Sequence, residues 1–234
     1  MSIAIPLYLA MTAAEFRRST ALPAHPAWLS CLFSPYSTGL SNLPAQLPAD
    51  SLLILSDRTP LCGHDPQRVR TQLEETIASL HCCALLLDFQ RPVCKDAMQM
   101  VNALCTLPCP VAVSHLYAQE VDGPVFLPPA PVDTCIEDHL APWQGREIWL
   151  EAALDSVTIR VTEHGAFREE KPLGSGPIGR FYDETLRCHY DIALSDCADF
   201  TLNRTADDLR ALLLRAETLG VTTAVGLYQE LANT

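Results

Sequence analysis

Residues Ala84-Leu85-Leu86-Leu87-Asp88-Phe89-Gln90 form a short apolar run that ends in a carboxylate and a carboxamide. A run of this length without charge reads as a buried strand. Its polar end marks where the strand reaches solvent. Side chains two apart on a strand share a face, so Asp88 and Gln90 point the same way, roughly 6.5–7 Å apart. In an α/β barrel, functional groups gather at the C-terminal ends of the strands. The question is whether the chain supplies the other strands of such a barrel.

Seven further candidates stand in order. They are Ile3 to Ala10, Ala27 to Phe33, Ser51 to Asp57, Pro110 to Leu116, a weak one around Val125 to Leu127, Glu147 to Leu154, and Thr223 to Tyr228. The run around Asp88, extended to Cys83–Gln90, is fourth in this order. Helical patterns fill most gaps, and strands alternating with helices favour a parallel sheet. Thr12-Ala13-Ala14-Glu15 is a capping-box pattern that opens a first helix to about Ser19. Asp65-Pro66 opens the clearest helix, with Val69, Leu73, Ile77 and Leu80 as its apolar stripe. Further helices are expected over Val93 to Leu107, Thr134 to about Leu140, and from Thr205 to Gly220.

One stretch breaks the alternation. Val157 to Gly165 alternates with period two, and Cys188–Leu194 and Phe200–Leu202 are further strand candidates. Residues 156–203 therefore read as a small antiparallel β insertion after strand 7, with a Gly- and Pro-rich loop near 170–182. The fold expected over residues 1–234 is a single (β/α)8 TIM-type barrel carrying that insertion. Residues 34–50 read as a long irregular loop.

Composition narrows the function. The chain has 234 residues and a net charge of −12. No basic stripe is present, which argues against nucleic acid and anionic membranes as partners. No run approaches the ~18 apolar residues of a membrane span. The apolar N-terminus lacks a positive flank and runs straight into the first helix, so it reads as a strand and not a signal peptide. A cytoplasmic location is the expectation. The ten cysteines are scattered. They read as reduced, buried, small hydrophobes. No pair has Cys-x-x-Cys spacing, so no metal and no cofactor is expected.

The order of elements resembles that of the chitinase-like family 18 glycoside hydrolases. Leu52-Leu53-Ile54-Leu55-Ser56 looks like that family's third strand, which ends near a serine. The fourth strand resembles the family motif Asp-x-x-Asp-x-Asp-x-Glu. Laid on residues 83–90, the motif finds Cys83, Leu86, Asp88 and Gln90, so only its third aspartate is present. The last strand, Gly226 to Leu231, looks like the one that carries a tryptophan at the floor of the family's sugar site, and Tyr228 stands there. The resemblance implies a barrel and a carbohydrate or polyol site at the C-terminal rim. It also implies that the usual general acid is missing, because a glutamine has no titrating proton. Its amide still hydrogen-bonds a sugar.

The candidate site residues follow. Asp88 is the central carboxylate. Glu151 on strand 7 and Glu230 at the end of strand 8 are the other catalytic candidates. Either, facing Asp88, would make a glycosidase pair, at roughly 5–5.5 Å for retention or 6.5–9.5 Å for inversion. Gln90, Tyr228, Asp57, His115 and Tyr8 are the substrate-binding candidates. A third alternative is a non-catalytic interaction or structural protein that keeps only the barrel and uses residues 156–203 as its contact surface.

Overall fold

The computed structural model describes residues 5–170 and 179–232. The chain opens with β1 (Leu7–Met11), helix α1 (Ala13–Arg18), β2 (Pro26–Phe33), a two-residue β3 (Leu40–Ser41) and β4 (Leu52–Ser56). Helix α2 (Pro66–Leu80), β5 (Ala84–Asp88), α3 (Lys95–Leu104), β6 (Val111–Ser114), β7 (Val125–Leu127), α4 (Ile136–Leu140) and β8 (Ile148–Ala152) follow. Then come five strands: β9 (Asp155–Thr162), β10 (Gly165–Glu170), β11 (Phe181–Asp183), β12 (Cys188–Leu194) and β13 (Ala198–Arg204). Helix α5 (Ala206–Thr218), β14 (Val221–Leu227) and a one-turn α6 (Tyr228–Leu231) end the described chain.

Eight strands pair in parallel in the order β1-β2-β4-β5-β6-β7-β8-β14, and β14 pairs back onto β1. The sheet is a closed (β/α)8 barrel, as the alternation of runs predicts. All eight expected barrel strands are present, each within a few residues of its expected bounds. The loop expected over 34–50 contains β3, which pairs antiparallel with β2. Residues 171–178 lie outside the described chain, and they hold most of the Gly- and Pro-rich loop.

Local chemistry explains the helix starts. Thr12 and Glu15 form a reciprocal capping box on α1, and Thr205 and Asp208 form one on α5. Asp65 accepts from the Gln67 backbone N–H, with Pro66 in the first turn of α2. Each cap satisfies N–H groups that have no partner within the helix. The outward faces of the barrel strands pack on the helices, with Val69, Leu73, Ile77, Val101, Leu209 and Leu213 in the contact. The inward faces form a separate cluster that includes Tyr8, Ala27, Leu52, Ile54, Leu86, Phe126, Trp149 and Val225.

The insertion is a second, five-stranded antiparallel sheet in the order β10-β9-β13-β12-β11. Its apolar side, Val157, Cys188 and Leu202, packs on Val132 in the loop after β7. Arg204, 3% exposed, ties β13 to the same loop by donating to the carbonyls of Ala130 and Pro131. The cysteines are less uniformly buried than expected. Cys31, Cys82 and Cys188 are buried, whereas Cys62 and Cys94 are exposed, and none is in a disulfide. Among the described residues no helix is long and apolar enough to cross a membrane.

Candidate active site at the C-terminal mouth of the barrel

Asp88 ends β5 on the parity of Ala84 and Leu86, which face the barrel interior. Glu151 sits on β8 on the parity of the inward Trp149. Strands β6 and β7 separate the two, so the carboxylates approach from well-separated arcs of the barrel wall. Both line one cavity of about 140 Å³, with Arg58, Leu29, Ile54, Phe126 and Leu227 among its other walls. Gly226 also lines it. A Cβ at Gly226 would lie 2.7 Å from the Ala152 carbonyl, so only glycine lets β14 run this close to β8.

The segment after β5 is fixed at four points. Asp57 accepts from the backbone N–H of Gln90 at 3.0 Å and of Arg91 at 2.9 Å. Ser114 Oγ donates to the Phe89 carbonyl, and Tyr117 Oη donates to the Arg91 carbonyl. Gln90 Nε2 in turn donates to Asp88 Oδ1 at 2.6 Å. The shared face expected for Asp88 and Gln90 is therefore occupied by a direct hydrogen bond between them. A side chain held this way loses little further entropy when it meets a ligand.

Glu151 is the electrostatic outlier. Burial pushes its carboxyl up to about 7, and the nearby Asp88 and Glu230 carboxylates push in the same direction. Burial and neighbouring negative charge both favour the neutral acid. A carboxyl that titrates near neutrality suits proton transfer.

The other sequence candidates sit elsewhere. Glu230 accepts a hydrogen bond from the Leu154 N–H, which ties α6 to the loop after β8. It does not line the cavity. Asp57, 2% exposed, has both oxygens on backbone N–H groups and holds the loop after β5. His115 follows β6, is half-buried, and has its imidazole pKa lowered by that burial. Tyr8 is a correction. It lies at the N-terminal end of the barrel, its hydroxyl 3.1 Å from Cys83 Sγ and its ring against His25. Tyr228 is another. The strand ends at Leu227, Tyr228 is the first residue of α6, and Leu227 is the residue that reaches the cavity.

Arg58, Leu227 and Phe126 are wall residues that the sequence reading did not single out as site residues. Parity is the signal that finds two of them. Arg58 continues the inward set Leu52 and Ile54, and Leu227 continues the inward Val225.

No protein-family model and no curated protein matches the chain. Solved structures do. The spore cortex-lytic enzyme SleL of Bacillus cereus superposes with a TM-score of 0.58 at 12% identity, covering 95% of this chain and 70% of that one. SleL of Bacillus megaterium QM B1551 gives 0.56 at 10% identity, with the same coverage. A glycoside hydrolase family 18 N-acetylglucosaminidase from Paenibacillus barengoltzii gives 0.60 at 9% identity, covering 95% of this chain and 94% of that one. The likeness shows the fold that this chain shares with those enzymes, a (β/α)8 barrel. The four positions on which the motif is laid have places in that barrel. Cys83 contacts Tyr8 at the N-terminal end, Leu86 is an apolar wall of the cavity, Asp88 is kept, and Gln90 is clamped onto it.

Proposed function

We propose that the C-terminal mouth of this barrel binds a carbohydrate or a related polyol, with Asp88, Gln90 and Glu151 meeting its hydroxyl groups. The observation that carries this reading is the convergence of Asp88 and Glu151 on one cavity, with Gln90 hydrogen-bonded to Asp88. Carboxylates accept from hydroxyls, a neutral carboxyl donates as well, and an amide does both. The three groups therefore match a ligand in which each hydroxyl is both donor and acceptor. The glycoside hydrolase fold supports the ligand class.

The cavity of about 140 Å³ is smaller than the roughly 300–1,000 Å³ of a drug-sized ligand pocket. Among the described residues Phe126 is its only aromatic wall, at 5% exposure, and they offer no exposed ring in the cavity for a sugar to stack on. Such a site grips one edge of a ligand and leaves the remainder at the rim. Affinity in the millimolar range is the expectation.

Titration calorimetry with N-acetylglucosamine, chitobiose and chitotriose tests the reading. Saturable binding that weakens at least about tenfold in Asp88→Ala, a loss of roughly 1.4 kcal/mol, supports it. Absence of binding by all three at millimolar concentration removes it.

A further inference from the structure

We infer that the mouth is a hydrolytic site whose acid has moved across the barrel: Glu151 on β8 donates the proton, and Asp88 on β5 activates a water. The inference rests on the mouth being a glycan site. It differs from the motif chemistry, in which the acid stands on the strand of Asp88, where this chain has Gln90.

The geometry comes first. The two carboxyl groups line the same cavity from strands separated by β6 and β7. A cavity of about 140 Å³ has room for a few waters, at roughly 30 Å³ each, between or beside them. Asp88 Oδ1 is engaged by Gln90, which orients the carboxylate and leaves Oδ2 for a water. Glu151 is held differently. No described residue hydrogen-bonds its carboxyl, in contrast to Glu230, which is tied to Leu154. The acid is therefore half-buried, positioned by a barrel strand, and free to give its proton to a ligand.

Electrostatics agrees. The charged groups around Glu151 are Asp88 from β5, Glu230 from α6 and Arg58 from the loop after β4. The two carboxylates and burial together keep Glu151 protonated up to about neutral pH. A carboxyl kept neutral by its surroundings in this way has a proton to give.

The step balances with water as co-reactant. The water oxygen bonds to the anomeric carbon as the bond from that carbon to the leaving oxygen breaks. Asp88 takes one proton of the water, and Glu151 gives its proton to the leaving oxygen. Solvent returns a proton to Glu151 and removes one from Asp88. A water placed between base and sugar attacks from the face opposite the leaving group, so the product anomer is inverted.

The test uses the whole chain with p-nitrophenyl and 2,4-dinitrophenyl N-acetyl-β-glucosaminides. Binding is measured in parallel with the same p-nitrophenyl sugar on a non-hydrolysable sulfur linkage. Turnover with an alkaline limb near pH 7 and an α-anomeric first product, read by proton NMR, is expected. Glu151→Gln is expected to lose about 10²–10⁴-fold on the p-nitrophenyl substrate, the usual range for a lost general acid. It should lose far less on the dinitrophenyl one, whose leaving group needs no proton, and binding should persist. Binding without turnover overturns the inference and leaves the glycan-site reading standing. Turnover unchanged in Glu151→Gln, or a retained anomer, also overturns it. Absence of both binding and turnover overturns both readings.

Discussion

The two ends of the barrel interior are built from the same strands and filled in opposite ways. The N-terminal end is closed by large side chains. Tyr8, Leu52 and Trp149 are all buried there, with Ala27 and Ala84 making room for them. Its polar atoms are matched locally: Trp149 Nε1 donates to Glu147, and Tyr8 Oη meets Cys83. The C-terminal end replaces bulk with charge. Further along the same strands, and just past the end of β4, stand Asp88, Glu151 and Arg58 around a cavity. One end is a packed core whose residues act through volume. The other is a polar concavity whose residues act through charge. Substitutions at the two ends should therefore differ in what they change, and not only in how much.

The largest effect is expected at the closed end. Trp149→Ala removes the bulkiest buried ring of the interior and leaves a void among side chains that cannot collapse into it. A loss of about 3–5 kcal/mol is the usual cost of such a truncation. It is read as a lowered urea midpoint with an unchanged slope. If the loss is under about 1 kcal/mol, the N-terminal end is not the packed plug described above, and the contrast between the ends fails.

Asp57 tests the border between the two ends. It is a carboxylate beside the mouth, yet both its oxygens are bound to the backbone of the loop after β5. Asp57→Ala leaves the Gln90 and Arg91 N–H groups without their acceptors. Each charge-assisted bond is worth about 1.5–3 kcal/mol, so a total loss of about 2–4 kcal/mol is expected in chemical denaturation. Asp57→Asn retains one acceptor and should lose less. The signature of a structural carboxylate is that ligand affinity follows folded fraction in both variants. If Asp57→Asn folds like the parent and still loses binding, Asp57 belongs to the site.

The same contrast shows what was legible in the sequence. The strands were, because parallel strands buried on both faces read as continuous apolar runs. That property also hid the site. In Leu85-Leu86-Leu87 or Leu53-Ile54-Leu55 either parity could face inward, since both faces are apolar. The inward set is fixed only when the barrel closes: Leu86 inward with Asp88, Ile54 inward with Arg58, and Asp57 consequently outward. Asp57 and Arg58 are neighbours whose roles exchange with that choice of phase. Tyr8 failed for a different reason. Its inward parity is right, but it lies early in its strand and hence at the closed end. Tyr228 fell to a boundary, since the strand stops one residue before it and turns into α6.

The smallest effect is the most diagnostic of the open end. Glu151 is a half-buried acid that is pushed up to about 7, whereas in the unfolded chain it titrates near the usual glutamate value of roughly 4.3. Between those values the folded chain binds the extra proton. Stability from this group is therefore present at acid pH and is lost as pH rises from about 4.5 to about 7. Above that range the folded state carries a half-buried charge next to Asp88 and Glu230. Glu151→Gln keeps the shape of the neutral acid and never ionises. It should leave the melting temperature nearly unchanged at the acid end and raise it at the alkaline end. Partial access to water through the mouth reduces the gain, leaving about 1 kcal/mol, or about 2–4 °C for a chain of this length. Thermal melts of the two proteins across that pH range give the answer. Parallel curves would mean that the mouth is well hydrated around Glu151. The open end would then differ from the closed one in shape alone, and not in the strength of its electrostatics.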